Sequence, residues 1–393
     1  MSKLLDQYAH RAMQPIETAQ CLPLAVYHDQ EIFKLEQQAI FENEWVFICS
    51  THELANTSDY LAFTMANEPI AIIRGEDGQL RALSNVCRHR GTPLLDEGFG
   101  QISKNIICPY HAWTFTDQGK LKAVPFAGKT DDGKPAIDKE KHCLPEFHLQ
   151  EYMGLVFINL SDEPHTALTE QLDGLEDYLS IFNIDAFTTG IRGANEHWNA
   201  NWKLILENAM ESYHLFKVHE QTLELGTPTR DAYYLAGSSE WTITGGKIKG
   251  VGESKLMNWL TGPYPEAFNH YILVSLPPSF VGILTYESFD WLQVLPVDSE
   301  HSIVRSGGIS TTDKGHKQKS IMEFTKQFFE EDKEICERVQ TAMKSRRGKG
   351  GKLVNMERVV TDFHQFLGSR LFNQEPSEFH INKDMIHLLE DDE

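Results

Sequence analysis

The stretch Cys87-Arg88-His89-Arg90-Gly91 and its counterpart Cys108-Pro109-Tyr110-His111, with 18 residues between His89 and Cys108, decide how the chain is read. Each loop offers one thiol and one imidazole, spaced C-x-H and C-x-x-H, and Trp113 and Phe115 follow the second. Two thiolates and two imidazoles from paired loops form a metal-ligand set. Zinc fingers pair Cys with Cys and His with His, whereas each loop here mixes the two. A two-iron centre with two thiolates on one iron and two imidazoles on the other needs one of each kind from both loops. A Cys₂His₂ zinc module is the plainer alternative.

Outward from these loops, residues 45–49, 60–64 and 69–74 are short runs rich in β-branched and aromatic residues. Glu76-Asp77-Gly78-Gln79 and Asp117-Gln118-Gly119-Lys120 carry the Asp-Gly type of hairpin signal and its close variant. Residues 45–160 therefore read as a small antiparallel β domain that ends on a buried strand at 154–160. Residues 1–44 read as a helical segment, with Ile32, Phe33, Leu35, Ala39, Ile40 and Phe41 at helical spacing. Beyond residue 160, helices are expected over 200–218 and 319–344, and strands over 271–276, 281–284, 289–295 and 302–308. Residues 161–393 thus form an α+β domain, an antiparallel sheet covered by helices. The basic, glycine-rich run at 345–352 lacks P-loop spacing and reads as a mobile connection. Cys21, Cys49, Cys143 and Cys336 sit in no such motif and read as buried structural thiols.

A second cluster lies in Glu207-Asn208-Ala209-Met210-Glu211-Ser212-Tyr213-His214, followed by His219. Non-haem Fe(II) that activates O₂ takes two His and one carboxylate on one face and leaves other positions open. His214 and His219 are five apart, about 140° around a regular helix, so they share a metal only if the helix bulges or ends between them. Glu207, Glu211 and His214 fall at i, i+4 and i+7, which suits Glu211 to a place beside a ligand imidazole rather than on the metal. Glu330, Glu331, Asp332 and Glu334 form an acidic helix face downstream, and spacing alone does not choose among them.

Both motifs, in this order and at this separation, resemble the Rieske-type non-haem iron oxygenases, the family of ring-hydroxylating oxygenase α-subunits. The resemblance covers nearly the whole chain. It implies a small all-β Rieske domain at 45–160 holding a [2Fe–2S] cluster on Cys87, His89, Cys108 and His111. The catalytic domain at 161–393 would hold a mononuclear Fe(II) on His214, His219 and Asp332, with the N-terminal segment 1–44 packed on it. The family places its carboxylate ligand eight residues before a Gln, and with Gln340 as that residue the resemblance implies Asp332. Glu211 takes the place of the acid that links the iron site to the cluster of a neighbouring subunit. The partners implied are O₂, a small organic substrate, a flavin or iron–sulfur reductase using NAD(P)H, and two further copies in a homotrimer. Most ring-hydroxylating members carry Asp at the bridging position. Glu211 resembles instead the branch acting on carnitine, choline and glycine betaine, although Ser212 and Leu215 stand where cysteine is expected in that branch.

Composition bounds the alternatives. With 36 basic and 57 acidic side chains, the formal charge of −21 repels phosphate backbones and anionic membranes and suits a cationic substrate or a basic redox partner. No run approaches a membrane span, and residues 1–14 lack the apolar core of a signal peptide, so a cytoplasmic protein is expected. Aromatic residues able to face a cation include Tyr233, Tyr234, Trp259, Tyr264, Phe268 and Tyr271. An aromatic-ring dioxygenase is the competing oxygenase. An electron carrier without a catalytic site is the competing class.

Overall fold

The computed structural model describes residues 2–182, 184–249, 269–311 and 316–383. Trp259, Tyr264 and Phe268 lie outside the described residues. The chain divides into two units, Phe41–His165 and a larger one that joins Met1–Ile40 to Thr166–Glu393.

Within Phe41–His165, a seven-stranded antiparallel sheet runs in the order Val46–Ser50, Leu155–Asn159, Glu146–Tyr152, Leu80–Ser84, Glu68–Arg74, Asp59–Met65 and Gly98–Gln101. The short strands Ile106–Ile107, Thr114–Phe115 and Leu121–Ala123 form a second sheet. Both expected hairpin turns are present, with Gly78 at φ 79° and Gly119 at φ 74°, the left-handed region that favours glycine. A buried core of Ile73, Leu83, Ile106, Trp113 and Phe115 includes Cys87 and Cys108. Among the remaining thiols, Cys49 and Cys336 are buried as expected, while Cys21 and Cys143 are only half-buried.

In the larger unit, eight described strands form one antiparallel sheet. Its order is Thr189–Trp198, Ser302–Ser310, Ser288–Pro296, Phe280–Leu284, His270–Leu276, Thr242–Lys247, Ala232–Gly237 and His380–Ile381. Helices Trp202–Ala209, His316–Met343 and Arg358–Phe372 accompany it. Residues 200–218 do not form one helix. The helix stops at Ala209, and a four-residue helix, Leu215–Val218, begins after a turn. The N-terminal segment is helical at Ser2–Ala12 and Gln30–Glu36 but not continuously so. The run at 345–352 is also tied down rather than loose. Cys21 N–H donates to Gly351 O at 2.9 Å, and Arg11 donates to Lys349 O at 3.1 Å.

A buried ion pair fixes the N-terminal segment to the catalytic helix. Lys203 Nζ lies 2.7 Å from Glu36 Oε1, with both side chains at 0% exposure. Tyr8 and Trp202 donate to the same carboxylate at 3.1 and 2.9 Å. Full satisfaction of this kind is what makes a buried charge tolerable.

Candidate active site

The two Cys–His loops have one backbone design. Cys87 O accepts from Gly91 N–H at 3.0 Å and Cys108 O from Ala112 N–H at 3.1 Å, four residues on in each case. Thr92 O and Trp113 O, five residues on, accept from Cys87 N–H and Cys108 N–H. Gly91 and Ala112 both adopt positive φ, 74° and 55°. These matched turns bury the thiols, each 3% exposed, and leave both imidazoles at the surface. The His89 and His111 rings are 4.7 Å apart between centroids, and His89 stacks flat on Trp113 at 4.9 Å. Backbone N–H groups of His89 and Arg90 point at the Cys87 thiol, and those of Tyr110 and His111 at Cys108. Burial disfavours the Cys108 thiolate, yet these amides, Cys87 and Thr92 outweigh it and bring its pKa below the ordinary value.

The second cluster depends on the broken helix. Asn201 caps Trp202–Ala209 by accepting from Lys203 N–H at 3.0 Å. After Ala209, Glu211 folds back, and its Oε2 accepts from the N–H groups of Tyr213 and His214. A side-chain carboxylate replaces the helix carbonyls there, and the chain turns. His214 and His219 flank the short helix Leu215–Val218 as its two cap residues, and their ring centroids are 5.1 Å apart. Helix His316–Met343 supplies the acids. Asp332 Oδ1 lies 3.0 Å from His219 Nε2 and 3.5 Å from His214 Nε2. One ligand atom from each of the three residues lies within 4.8 Å of the others, the one such group among the described residues.

The outward nitrogens are held as well. His214 Nδ1 donates to Glu211 Oε1 and His219 Nδ1 to Glu331 Oε2, both at 2.7 Å. Glu331 also accepts from Thr222, and Asn208 donates to Asp332 Oδ1, again at 2.7 Å. Sequence reasoning missed Asn208 and Thr222 and named Glu331 only as part of an acidic helix face. The place beside an imidazole expected for Glu211 is observed. Glu207 lines one cleft with Asn208 and Glu211, but the imidazoles of His214 and His219 bond to acids other than Glu207. Glu207 accepts instead from Tyr27 at 2.8 Å and His364 at 3.0 Å. Gln340 sets the helix register, accepting from Asn201 N–H at 2.9 Å and donating to Tyr27 O at 3.0 Å.

The electrostatics favour a cation. Burial opposes a charge on His214, but Asp332 and Glu211 outweigh it and push its pKa up to about 10. Despite its own burial, Asp332 is held at about 2 by His214 and His219. Acids around two imidazoles, each with Nε2 turned inward, are the environment of a divalent metal.

Residues 44–147 match the Rieske [2Fe-2S] domain family, and residues 185–372 match the catalytic domain of ring-hydroxylating α-subunits. The carnitine monooxygenase oxygenase subunit of Acinetobacter baumannii is 32% identical over 353 residues, 87% of this chain and 91% of that protein. The chain belongs to the Rieske oxygenases. This Rieske oxygenase is also 37% identical to the glycine betaine monooxygenase oxygenase subunit of Chromohalobacter salexigens over 202 residues, 51% of this chain and 44% of that one. Its structure is similar to the quaternary ammonium Rieske monooxygenase CntA solved with L-carnitine, with a TM-score of 0.75 and 26% identity. That likeness covers 93% of this chain and 98% of CntA. As a Rieske oxygenase the chain is an oxidoreductase whose cofactors are a [2Fe–2S] cluster and a mononuclear iron. Both donor sets fit. The paired thiols with amides aimed at sulfur suit the cluster, and the two inward Nε2 atoms facing a carboxylate suit Fe(II).

Proposed function

We propose that this oxygenase hydroxylates a small quaternary ammonium compound, with a reductase supplying electrons from NAD(P)H. The observation that carries the reading is the match along nearly the full length of the carnitine monooxygenase oxygenase subunits. Glu211 and the charge of −21 agree with it.

Cys87 and Cys108 would hold one iron of the cluster, His89 and His111 the other, and His214, His219 and Asp332 the mononuclear iron. The cluster supplies electrons, and the mononuclear iron supplies O₂ activation. The chain supplies the rest. Glu211 and Glu331 keep the two imidazoles in the tautomer that turns Nε2 inward. Asn208 fixes the Asp332 Oδ1 that faces both Nε2 atoms, the three atoms that would hold the iron. Tyr213 and Phe216 are exposed on either side of His214 in the chain, and Ile107 and Tyr110 on either side of Cys108. Such apolar surface supports self-association, and a head-to-tail homotrimer would bring Glu211 to the cluster of the next subunit. Among the described residues no helix is long and apolar enough to cross a membrane, which is compatible with a cytoplasmic enzyme.

Glu331→Ala is expected to weaken Fe(II) binding about 10- to 100-fold, the usual cost of losing a partner that orients a ligand imidazole. A titration of metal-depleted protein measures it. Because His214 carries a proton up to about pH 10, Fe(II) must displace that proton. Apparent affinity should therefore rise with pH through the neutral range, and the same titration as a pH series checks the sign.

The substrate is tested by NADH consumption with a reconstituted reductase. Carnitine, glycine betaine or choline should give consumption coupled to hydroxylated or dealkylated product. Coupling with aromatic acids and none with the trimethylammonium compounds would replace this reading with ring hydroxylation.

A further inference from the structure

Every residue of the strand His270–Leu276 is buried, and Tyr271 lies opposite Gly246 in the neighbouring strand. A Cβ at position 246 would come within 2.8 Å of both Cε1 and the phenolic oxygen of Tyr271. The glycine therefore makes room for the ring to lie back across the sheet. In that pose the Tyr271 hydroxyl shares a hydrogen bond with Ser212 Oγ at 3.3 Å. Ser212 is 5% exposed and sits in the turn between the helices Trp202–Ala209 and Leu215–Val218. It follows Glu211 directly and precedes His214 by two residues. Within the turn Glu211 accepts from the amides of Tyr213 and His214, and Leu215 N–H reaches Ser212 O at 3.4 Å. Burial, with Glu224 and Glu211 nearby, holds the phenol above its ordinary pKa, so it stays protonated through the neutral range.

We propose that Tyr271 is a positioning residue, fixing through Ser212 the turn that carries Glu211 and His214 and so the aim of the His214 imidazole. This role rests on His214 as an iron ligand. It also gives Ser212 a task in the place where the carnitine and betaine branch is expected to carry cysteine. The hydrogen bond ties the turn to a strand that is itself bonded to a neighbouring strand on each side. Loss of the hydroxyl leaves the ring seated over Gly246 and frees only the turn.

The test uses the holoprotein with its cluster oxidised and EPR-silent, its mononuclear iron exchanged for high-spin Co(II). Tyr271→Phe and Ser212→Ala should each change the rhombicity of the Co(II) EPR signal. Each should also weaken Co(II) binding by a few-fold up to about tenfold, the low end of what loss of an orienting partner costs. The double variant should be no weaker than either single one, because both remove the same bond. Thermal melting of the metal-depleted variants should stay close to that of the parent. An unchanged Co(II) spectrum and affinity in both variants would overturn the proposal. So would losses that multiply in the double variant, or a fall in melting temperature with the spectrum intact. His214→Ala separates this from the underlying assignment: if Co(II) affinity survives that change, the ligand reading itself fails.

Discussion

The Asp332→Ala protein is expected to keep the colour and sulfide content of its cluster while losing its mononuclear iron and, with it, turnover. Asp332 Oδ1 is the atom toward which both Nε2 nitrogens converge, at 3.0 and 3.5 Å. It is also the one carboxylate oxygen there that Asn208 pins, at 2.7 Å. Removing it leaves two imidazoles with no negative charge on the metal side. Glu211 and Glu331 remain on the Nδ1 side, where they orient the rings without reaching a metal. The fall in iron affinity should exceed the roughly hundredfold upper range for an outer partner, and Glu331→Ala should fall within that range. Iron and sulfide quantification of both variants decides the matter. If Asp332→Ala kept its iron while Glu331→Ala lost it, the roles of the two neighbouring acids would have to be exchanged.

Glu36→Ala should destabilise the protein by about 3–5 kcal/mol, the cost of leaving one member of a buried ion pair alone. Lys203 is fully buried, and burial already holds its pKa below the ordinary lysine value. Tyr8 and Trp202 would lose their acceptor at the same time. The damage should spread to the iron site, because Lys203 lies in the helix that presents Asn208. Replacing both members together by apolar residues, Glu36→Leu with Lys203→Met, should cost much less. Denaturant unfolding of the larger unit's transition measures both. A loss below 1 kcal/mol in Glu36→Ala would mean that the pair does not hold the N-terminal segment in place.

The β domain was legible in the sequence because its signals are local. Asp-Gly turns set the hairpins, and each Cys–His loop closes on itself within five residues. The catalytic half was harder. The strand His270–Leu276, buried on both faces and without alternation, was still marked by its apolar run, whereas the adjoining strands Thr242–Lys247 and Ala232–Gly237 went unread. Residues 200–218 contain neither glycine nor proline, and nothing in their periodicity marks the stop at Ala209. That stop comes from the Glu211 carboxylate binding two amides ahead of it, an interaction of one side chain with its own backbone. The break expected between His214 and His219 lies earlier in the chain, because the helix stops at Ala209 and a separate short helix, Leu215–Val218, runs between the two histidines. Glu331 and Asp332 are neighbours in an acidic run, and only the packed helix shows that they serve opposite nitrogens of His219. Gln340 could mark the register because it is buried and bonded to the cap residue of the helix that leads to the histidines.

The most direct measurement is metal and sulfide content with EPR on the dithionite-reduced protein, comparing the parent with His214→Ala. The parent should contain iron and acid-labile sulfide near three to two, and His214→Ala near two to two. Both should give the same rhombic signal, with average g below the free-electron value, from a cluster with two imidazole ligands. A colourless protein carrying zinc without sulfide, or a parent already at two to two with no further site to lose, would contradict the two-centre account.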